Sequence, residues 1–284
     1  MKDNIVEVKG LEKKYNNFTA VKNISFSIKK GEILALLGPN GAGKTTTLEC
    51  LEGILYITEG EILVDGLNIK TNQSKIRKIM GIQLQSSSLP PTMTVEECLD
   101  LFCSYHNVNP SEELFKRFQL EELKKKCYGQ LSVGQQRRVV LAIAVAHKPK
   151  LLILDEPTAG LDVVSRVELH KIIEELKNDD TSILLASHDM AEVEKLADKV
   201  VVLLKGEIVK EGTPEEISQS MNKLTKIAIR TEEPIDNYKN INVNLKKLNE
   251  SSNYYEVYSE DINKMLFELV NYVNKNNNKI IDLK

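Results

Sequence analysis

Leu36-Leu37-Gly38-Pro39-Asn40-Gly41-Ala42-Gly43-Lys44-Thr45-Thr46 decides the reading of this 284-residue chain. The stretch fits G-x-x-x-x-G-K-[ST] at Gly38, Gly43, Lys44 and Thr45. An apolar, strand-like run (Ile33 to Leu37) precedes it, and a helix-compatible run from Lys44 to Leu51 follows. A glycine-rich turn between strand and helix lets its backbone N–H groups curl around phosphate oxygens. The helix N-terminus adds positive potential. Lys44 is expected to reach the β- and γ-phosphates of a nucleotide, and the Thr45 hydroxyl to ligate Mg²⁺.

Composition narrows the class around that loop. Hydrophobic residues make up 42% of the chain and charged residues 28%, as in an ordinary globular protein with a full core. The length suggests about two domains. A formal charge of −3 offers no electrostatic reason to expect nucleic acid as a partner. Cys50, Cys98, Cys103 and Cys127 show no C-x-x-C spacing, so reduced thiols are expected rather than a zinc site or disulfide framework. The opening M-K-D-N-I-V-E-V does not read as a signal peptide. The longest apolar run, Val139 to Ala146, is far short of the roughly 20 residues that span a bilayer. A cytoplasmic protein is expected, with any membrane role exercised through a partner.

Strand patterns at residues 4–8, 23–28, 32–37 and 61–64, the last closed by Asp65-Gly66, mix antiparallel hairpins with the strand of the phosphate loop. Tyr15, in the polar context K-K-Y-N-N, reads as a loop residue whose ring could stack on an adenine. Gly81-Ile82-Gln83-Leu84-Gln85 reads as a short strand, with Gln85 at the entrance to a helical insertion over about 86–145. Within it, Thr94 caps a helix from Val95 to Tyr105, and more helix is expected through Lys126. In Leu131-Ser132-Val133-Gly134-Gln135, Ser132 is an N-cap type residue ahead of a helix over 135–147. A serine hydroxyl beside free amides can serve as an anion site or simply as a cap.

Leu151-Leu152-Ile153-Leu154 suits a strand buried on both faces, and it ends in Asp155-Glu156-Pro157. Ligands of open α/β sheets gather at the carboxyl ends of strands. Asp155 is placed to hold Mg²⁺. Glu156, on the other face of the pleat and steered by Pro157, is placed to polarise an attacking water. The strand over 181–186 ends at Ser187-His188, which sets His188 near a γ-phosphate. Alternating strands and helices continue to Gly212-Thr213-Pro214, as in a parallel sheet. The expected fold is therefore α/β. It combines a P-loop NTPase core, an antiparallel β subdomain and a helical insertion over residues 1–220, with a small α+β accessory domain over 221–284. Within the latter, strands at 226–230, 241–245 and 254–258, an amphipathic helix at 261–274 and a strand at 279–283 suggest a β-β-β-α-β order.

Taken in order, Tyr15, the loop Gly38–Thr45, Gln85, the signature Leu131–Gln135, Leu151–Glu156, Ala159-Gly160-Leu161-Asp162 and His188 resemble the ATP-binding subunits of ABC transporters over roughly residues 4–215. The chain looks most like bacterial ATPases that export drugs, antibiotics or peptides. The resemblance implies Mg-dependent ATP hydrolysis in a head-to-tail dimer, with ATP sandwiched between Lys44, Thr45 and Asp155 of one copy and the signature of the other. It implies that Ser132, Gly134 and Gln135 close on the γ-phosphate from across the interface and that Asp162 touches the opposite copy. It further implies that Glu156 and His188 act at the water, and that Gln85 senses Mg²⁺. The insertion would face a separately encoded membrane permease, leaving the protein peripheral on the inner face of the membrane. The usual signature carries glycine where this chain has Val133, so the backbone there must hold negative φ. The alternative is a soluble ABC ATPase that acts on the ribosome or DNA. Such relatives usually carry tandem nucleotide domains or long coiled coils, and this chain has neither.

Overall fold

The computed structural model describes residues 3–83, 89–221, 225–235, 244–247, 253–259, 262–276 and 278–283. They divide into two compact units, Met1–Pro214 and Glu215–Lys284.

The first unit opens with two long strands, β1 (Asn4–Tyr15) and β2 (Phe18–Lys29), joined at Asn16-Asn17. Asn16 takes a left-handed backbone (φ 48°), which suits a tight reversal and sets Tyr15 opposite Phe18. Tyr15 is thus the last residue of a strand, not a loop residue. Next come β3 (Ile33–Leu37), α1 (Lys44–Leu51), β4 (Glu59–Val64) and β5 (Leu67–Asn68). Asp65 and Gly66 both hold positive φ (47° and 78°), which fits the type I′ hairpin expected there. The four antiparallel strands lie in the order β2-β1-β4-β5.

The chain continues through α2 (Gln73–Arg77), β6 (Met80–Gln83), α3 (Val95–Tyr105) and α4 (Glu112–Arg117). The helix expected through Lys126 stops early, because Gln119 turns left-handed (φ 54°), and only a short 3₁₀ turn at Glu121–Leu123 follows. Then come α5 (Val133–Val145), β7 (Leu151–Asp155), α6 (Val163–Asn178), β8 (Ser182–Ser187), α7 (Met190–Leu196), β9 (Lys199–Leu204) and β10 (Glu207–Gly212). They build a six-stranded sheet in the order β10-β9-β3-β8-β7-β6, parallel except where β10 pairs with β9.

Both faces of the sheet's central strands are buried, which accounts for the continuous apolar runs of β3, β7 and β8. The side-chain period of two divides them. Leu34, Leu36, Leu151 and Ile153 pack with α1 and the antiparallel strands, while Leu152, Leu154, Ile183 and Leu185 pack with α3, α5 and α6. The carboxyl ends of β3, β7 and β8 therefore meet beside the start of α1, and these strand ends carry the residues of interest.

The second unit holds α8 (Pro214–Met221) from its second residue on, followed by β11 (Thr225–Thr231), β12 (Asn244–Lys247), β13 (Tyr254–Ser259), α9 (Ile262–Lys275) and β14 (Ile280–Leu283). Its antiparallel sheet runs β12-β13-β11-β14. Residues 241–243, expected to start a strand, lie outside the described residues. Ile229, Tyr255, Met265, Leu269 and Val273 form its core, and the Tyr255 hydroxyl accepts a hydrogen bond from the Ile235 N–H at 2.7 Å.

Candidate functional site

At the end of β3 the chain turns through residues that only glycine allows. A Cβ at Gly38 would stand 2.3 Å from the Leu203 carbonyl oxygen. Gly43, at φ 103°, is the left-handed cap residue of α1, and a Cβ there would stand 2.8 Å from the Ala20 oxygen. No side chain caps α1, and its first turn carries no acidic residue. Its leading N–H groups are thus left for an anion rather than taken by a cap of the helix itself. The loop opens onto a cavity of about 400 Å³ lined by Phe18, Ala20, Asn40, Gly41, Gly43, Lys44, Thr45, Thr46 and Glu156. Pro39 and Ala42 form the loop's inner turn, with the Ala42 N–H donating to the Pro39 oxygen at 3.1 Å.

Lys44 is 5% exposed. Its Nζ donates to the Gly38 oxygen at 2.8 Å and the Pro39 oxygen at 3.3 Å, and stands 3.5 Å from Glu156 Oε1. The Thr45 hydroxyl donates to Asp155 Oδ2 at 3.0 Å. Asp155 Oδ1 is buried without a partner. Burial pushes the Asp155 carboxyl up and the charge of Glu156 adds to this, while the hydrogen bond from Thr45 and the charge of Lys44 act the other way. A hydroxyl and a half-satisfied carboxylate side by side form a hard-oxygen donor set that fits Mg²⁺.

Glu156 and His188 meet, with Oε1 and Nδ1 3.1 Å apart. The structure corrects the path to this contact. β7 ends at Asp155, and Glu156 does not continue the pleat. It adopts left-handed backbone (φ 46°) although Pro157 follows. The residue before proline prefers extended backbone, so this is local strain of about 1–3 kcal/mol, held by the fold around it. Two of the bonds that hold it are the Glu156 N–H to the Ala186 oxygen at 3.0 Å and the Ala159 N–H to the Glu156 oxygen at 3.1 Å.

Tyr15 borders the same region. Its hydroxyl lies near Thr46, and Lys13 Nζ stands 4.9 Å from its ring centre. Phe18, its partner across the turn, lines the cavity and is 65% exposed. Sequence reasoning singled out only Tyr15. The available signal for Phe18 was its place three residues on, which a two-residue turn converts into a neighbour on the same face.

A second group of expected residues gathers elsewhere and does not line this cavity. α5 starts at Val133, two residues earlier than expected, because Ser132 and Gln135 form a reciprocal capping box. Ser132 Oγ accepts from the Gln135 N–H at 3.3 Å, and Gln135 Oε1 accepts from the Ser132 N–H at 3.0 Å. Val133 is absent from the positive-φ positions, and its side chain points outward. Gly134 allows close packing on α6, since a Cβ there would stand 2.5 Å from Ser165 Oγ. Asp162 caps α6 by accepting from the Ser165 N–H at 3.0 Å and the Ser165 hydroxyl at 2.8 Å, and these bonds hold its carboxyl below the usual range. Ser132, Gly134, Gln135 and Asp162 thus form one surface joined through Ser165, apart from Lys44, Thr45, Asp155, Glu156 and His188. Gln85 lies outside the described residues.

Known proteins resemble this chain in sequence and fold. The ABC transporter family profile matches residues 21–159. The energy-coupling factor transporter ATP-binding protein EcfA of Methanocaldococcus jannaschii is 38% identical over 240 residues, covering 80% of this chain and 85% of that protein. The linearmycin resistance ATP-binding protein LnrL of Bacillus subtilis is 36% identical over 215 residues, covering 74% and 69%. Among solved structures, cbiO1 of Clostridium perfringens, part of the ABC transporter complex cbiONQ, superposes with a TM-score of 0.69. Its identity is 34%, with 78% of this chain and 92% of that chain covered. A bacterial ABC transporter cassette solved as a dimer has a TM-score of 0.67 and 27% identity, with 74% and 98% covered.

Proposed function

The chain belongs to the ABC transporter family as an ATP-binding subunit that hydrolyses ATP, and from that premise we propose that two copies pair head to tail to drive export of a small molecule or peptide through a separate membrane permease. The observation that carries the pairing is the separation of two half-sites within one copy. One half holds Lys44, Thr45, Asp155, Glu156 and His188. The other is the capped start of α5 with Ser132, Gly134 and Gln135, beside Asp162. A phosphate on the first half gains the second half's amides and hydroxyl only from another copy.

The chemistry follows from where each group stands. The α1 amides and Lys44 bind the β- and γ-phosphates, with Lys44 leaving the Gly38 and Pro39 carbonyls for phosphate oxygens. Tyr15 and Phe18 flank the base. Thr45 and Asp155 are the residues that would hold Mg²⁺, with Gln85 as a further candidate; the ion, when bound, neutralises phosphate charge. Once Lys44 turns to phosphate, Glu156 takes the proton of the attacking water, and His188 steadies Glu156 and the γ-phosphate. Closure of the two copies excludes water and completes the site, so binding drives the stroke.

No helix among the described residues is long and apolar enough to cross a membrane, which fits a peripheral subunit working on a permease at the inner face. Leu101, Phe102 and Tyr105 of α3 are exposed around an apolar cleft of about 550 Å³ and supply a surface for that contact. The export direction draws support from the drug-resistance relative LnrL.

Glu156→Gln tests the paired site. ATP binding should persist, turnover should fall by at least roughly 100-fold, and a dimer should accumulate in ATP but not in ADP on size-exclusion chromatography. Turnover near wild type would remove Glu156 from the chemistry, and a monomer in ATP would remove the sandwich. For direction, the chain is reconstituted with the permease encoded beside it and ATP is supplied on the cassette's side. Transport away from that side supports export; transport toward it would make the complex an importer.

A further inference from the structure

The strained Glu156 turn and the Ser187-His188 turn come from different strands, yet Glu156 and His188 must meet within hydrogen-bonding distance. Besides the Glu156 N–H bond to the Ala186 oxygen, a buried carboxylate on α7 ties the two turns together. Glu192 is 3% exposed. Its Oε1 accepts from the Thr158 hydroxyl and its Oε2 from the Ser187 hydroxyl, each at 2.6 Å. His170 Nε2, from α6, stands 3.5 Å from Oε1. Thr158, Ser187 and His170 are themselves buried, at 5%, 2% and 4% exposure. Ser187 Oγ also accepts from the Asp189 N–H at 3.0 Å, so the turn carrying His188 is pinned from both sides.

A carboxylate this deep is costly unless its oxygens are occupied. Burial alone would push Glu192 up, but the nearby His170 ring and the hydrogen bonds from Ser187 and Thr158 together hold it below the usual range, so it stays ionised. A neutral hub would behave differently. An amide keeps the shape but offers one acceptor oxygen and one donor nitrogen, so one of the two hydroxyls must reverse to accept from the amide N–H, its own proton loses the carboxylate, and that anchor weakens. Thr158 lies two residues beyond Glu156 and Ser187 one residue before His188. Loss of either anchor therefore frees one member of the reacting pair.

We propose that Glu192 is a positioning residue of the ATPase, whose two oxygens lock the Glu156 turn to the His188 turn so that both side chains are presented together to the attacking water. The inference rests on the reading of Glu156 and His188 as the groups that act there. It concerns the geometry of the chemical step and not the affinity for ATP, because none of Glu192, Thr158, Ser187 and His170 lines the phosphate-loop cavity.

Thr158→Val, Thr158→Ser, Glu192→Gln and Glu156→Gln are compared with wild type for steady-state ATP hydrolysis, binding of a fluorescent ATP analogue, and thermal midpoint. Thr158→Val and Glu192→Gln should lower kcat by roughly 10- to 100-fold with KM and analogue affinity within about threefold of wild type, as expected of misplaced catalytic groups. Thr158→Ser, which keeps the hydroxyl, should retain most of kcat. The inference is overturned by kcat within twofold of wild type in Thr158→Val, by equal losses in Thr158→Val and Thr158→Ser, or by kcat losses that track the thermal midpoint. If Glu192→Gln does not fold, the Thr158 pair decides alone. Wild-type turnover in Glu156→Gln would mean that the underlying catalytic reading has failed. An inactive Glu156→Gln beside a fully active Thr158→Val would mean that only the Glu192 inference has.

Discussion

Tyr15 and Phe18 show how much one turn can change the meaning of two residues. Sequence context makes Tyr15 a polar-loop residue and leaves Phe18 unremarked. The tight Asn16-Asn17 reversal sets them opposite each other at the lip of the phosphate cavity, one near Thr46 and the other lining the wall. If the two rings flank the base, Phe18→Ala and Tyr15→Ala should each weaken ATP by on the order of 5- to 100-fold, the equivalent of about 1–3 kcal/mol of stacking. Binding of inorganic triphosphate should change by less than about twofold, since it has no base to stack. Calorimetric titration of both ligands checks this, and equal losses for ATP and triphosphate would place the rings away from the base. Glu156 carries the opposite lesson. Its identity as the residue after Asp155 was legible, but its left-handed backbone was not, because the rule for a residue before proline argues against it. The surrounding bonds outweigh that local preference, and no local rule records them.

At the scale of the element, α1 has a buried liability at its far end. Glu52 closes the helix, is 4% exposed, and neither of its carboxylate oxygens has a hydrogen-bond partner. Burial, reinforced by the charges of Asp155 and Glu49, pushes its carboxyl from the ordinary 4.5 up to about 7. The folded chain therefore keeps this proton up to about pH 7, while the unfolded chain releases it near 4.5. Between those values the folded state binds more protons, so this group's contribution to stability falls as pH rises, and the penalty is complete above pH 7. Glu52→Gln should flatten that slope and, relative to its own value at pH 4, gain up to about 3 kcal/mol over wild type at pH 8. Urea unfolding of the nucleotide- and metal-free chain across pH 4–8 measures it; parallel slopes in the two proteins would show that Glu52 does not titrate as its burial requires. α5 is a simpler case. Its start follows from Ser132 and Gln135, whose spacing of three is the capping box itself.

At the scale of the whole molecule, the two compact units carry separate cores. The phosphate loop, both half-sites and the Glu192 hub all lie in the first. We therefore expect a chain cut after Met221 to fold and to bind ATP within about threefold of full length, because it keeps both faces of the parallel sheet covered. Nucleotide titration and circular dichroism check this, and an unfolded fragment would show that the second unit is part of the fold of the first.

Sequence alone determined that this chain binds a nucleotide and where its strands must lie. The phosphate-loop motif, the apolar runs of β3 and β7 and the capping character of Ser132 are each written in a few consecutive residues, so local pattern is enough to find them. The resemblance carried by those motifs supplied the family. Only the tertiary structure decided which residues meet. Strand order brings the ends of β3, β7 and β8 together, places Phe18 in the cavity wall, and joins Thr158, Ser187 and His170 on one buried carboxylate. It also leaves the α5 half-site apart from the phosphate loop. These are long-range contacts set by sheet order and by the close packing of two buried faces, and they have no period or spacing in the chain from which they could be read.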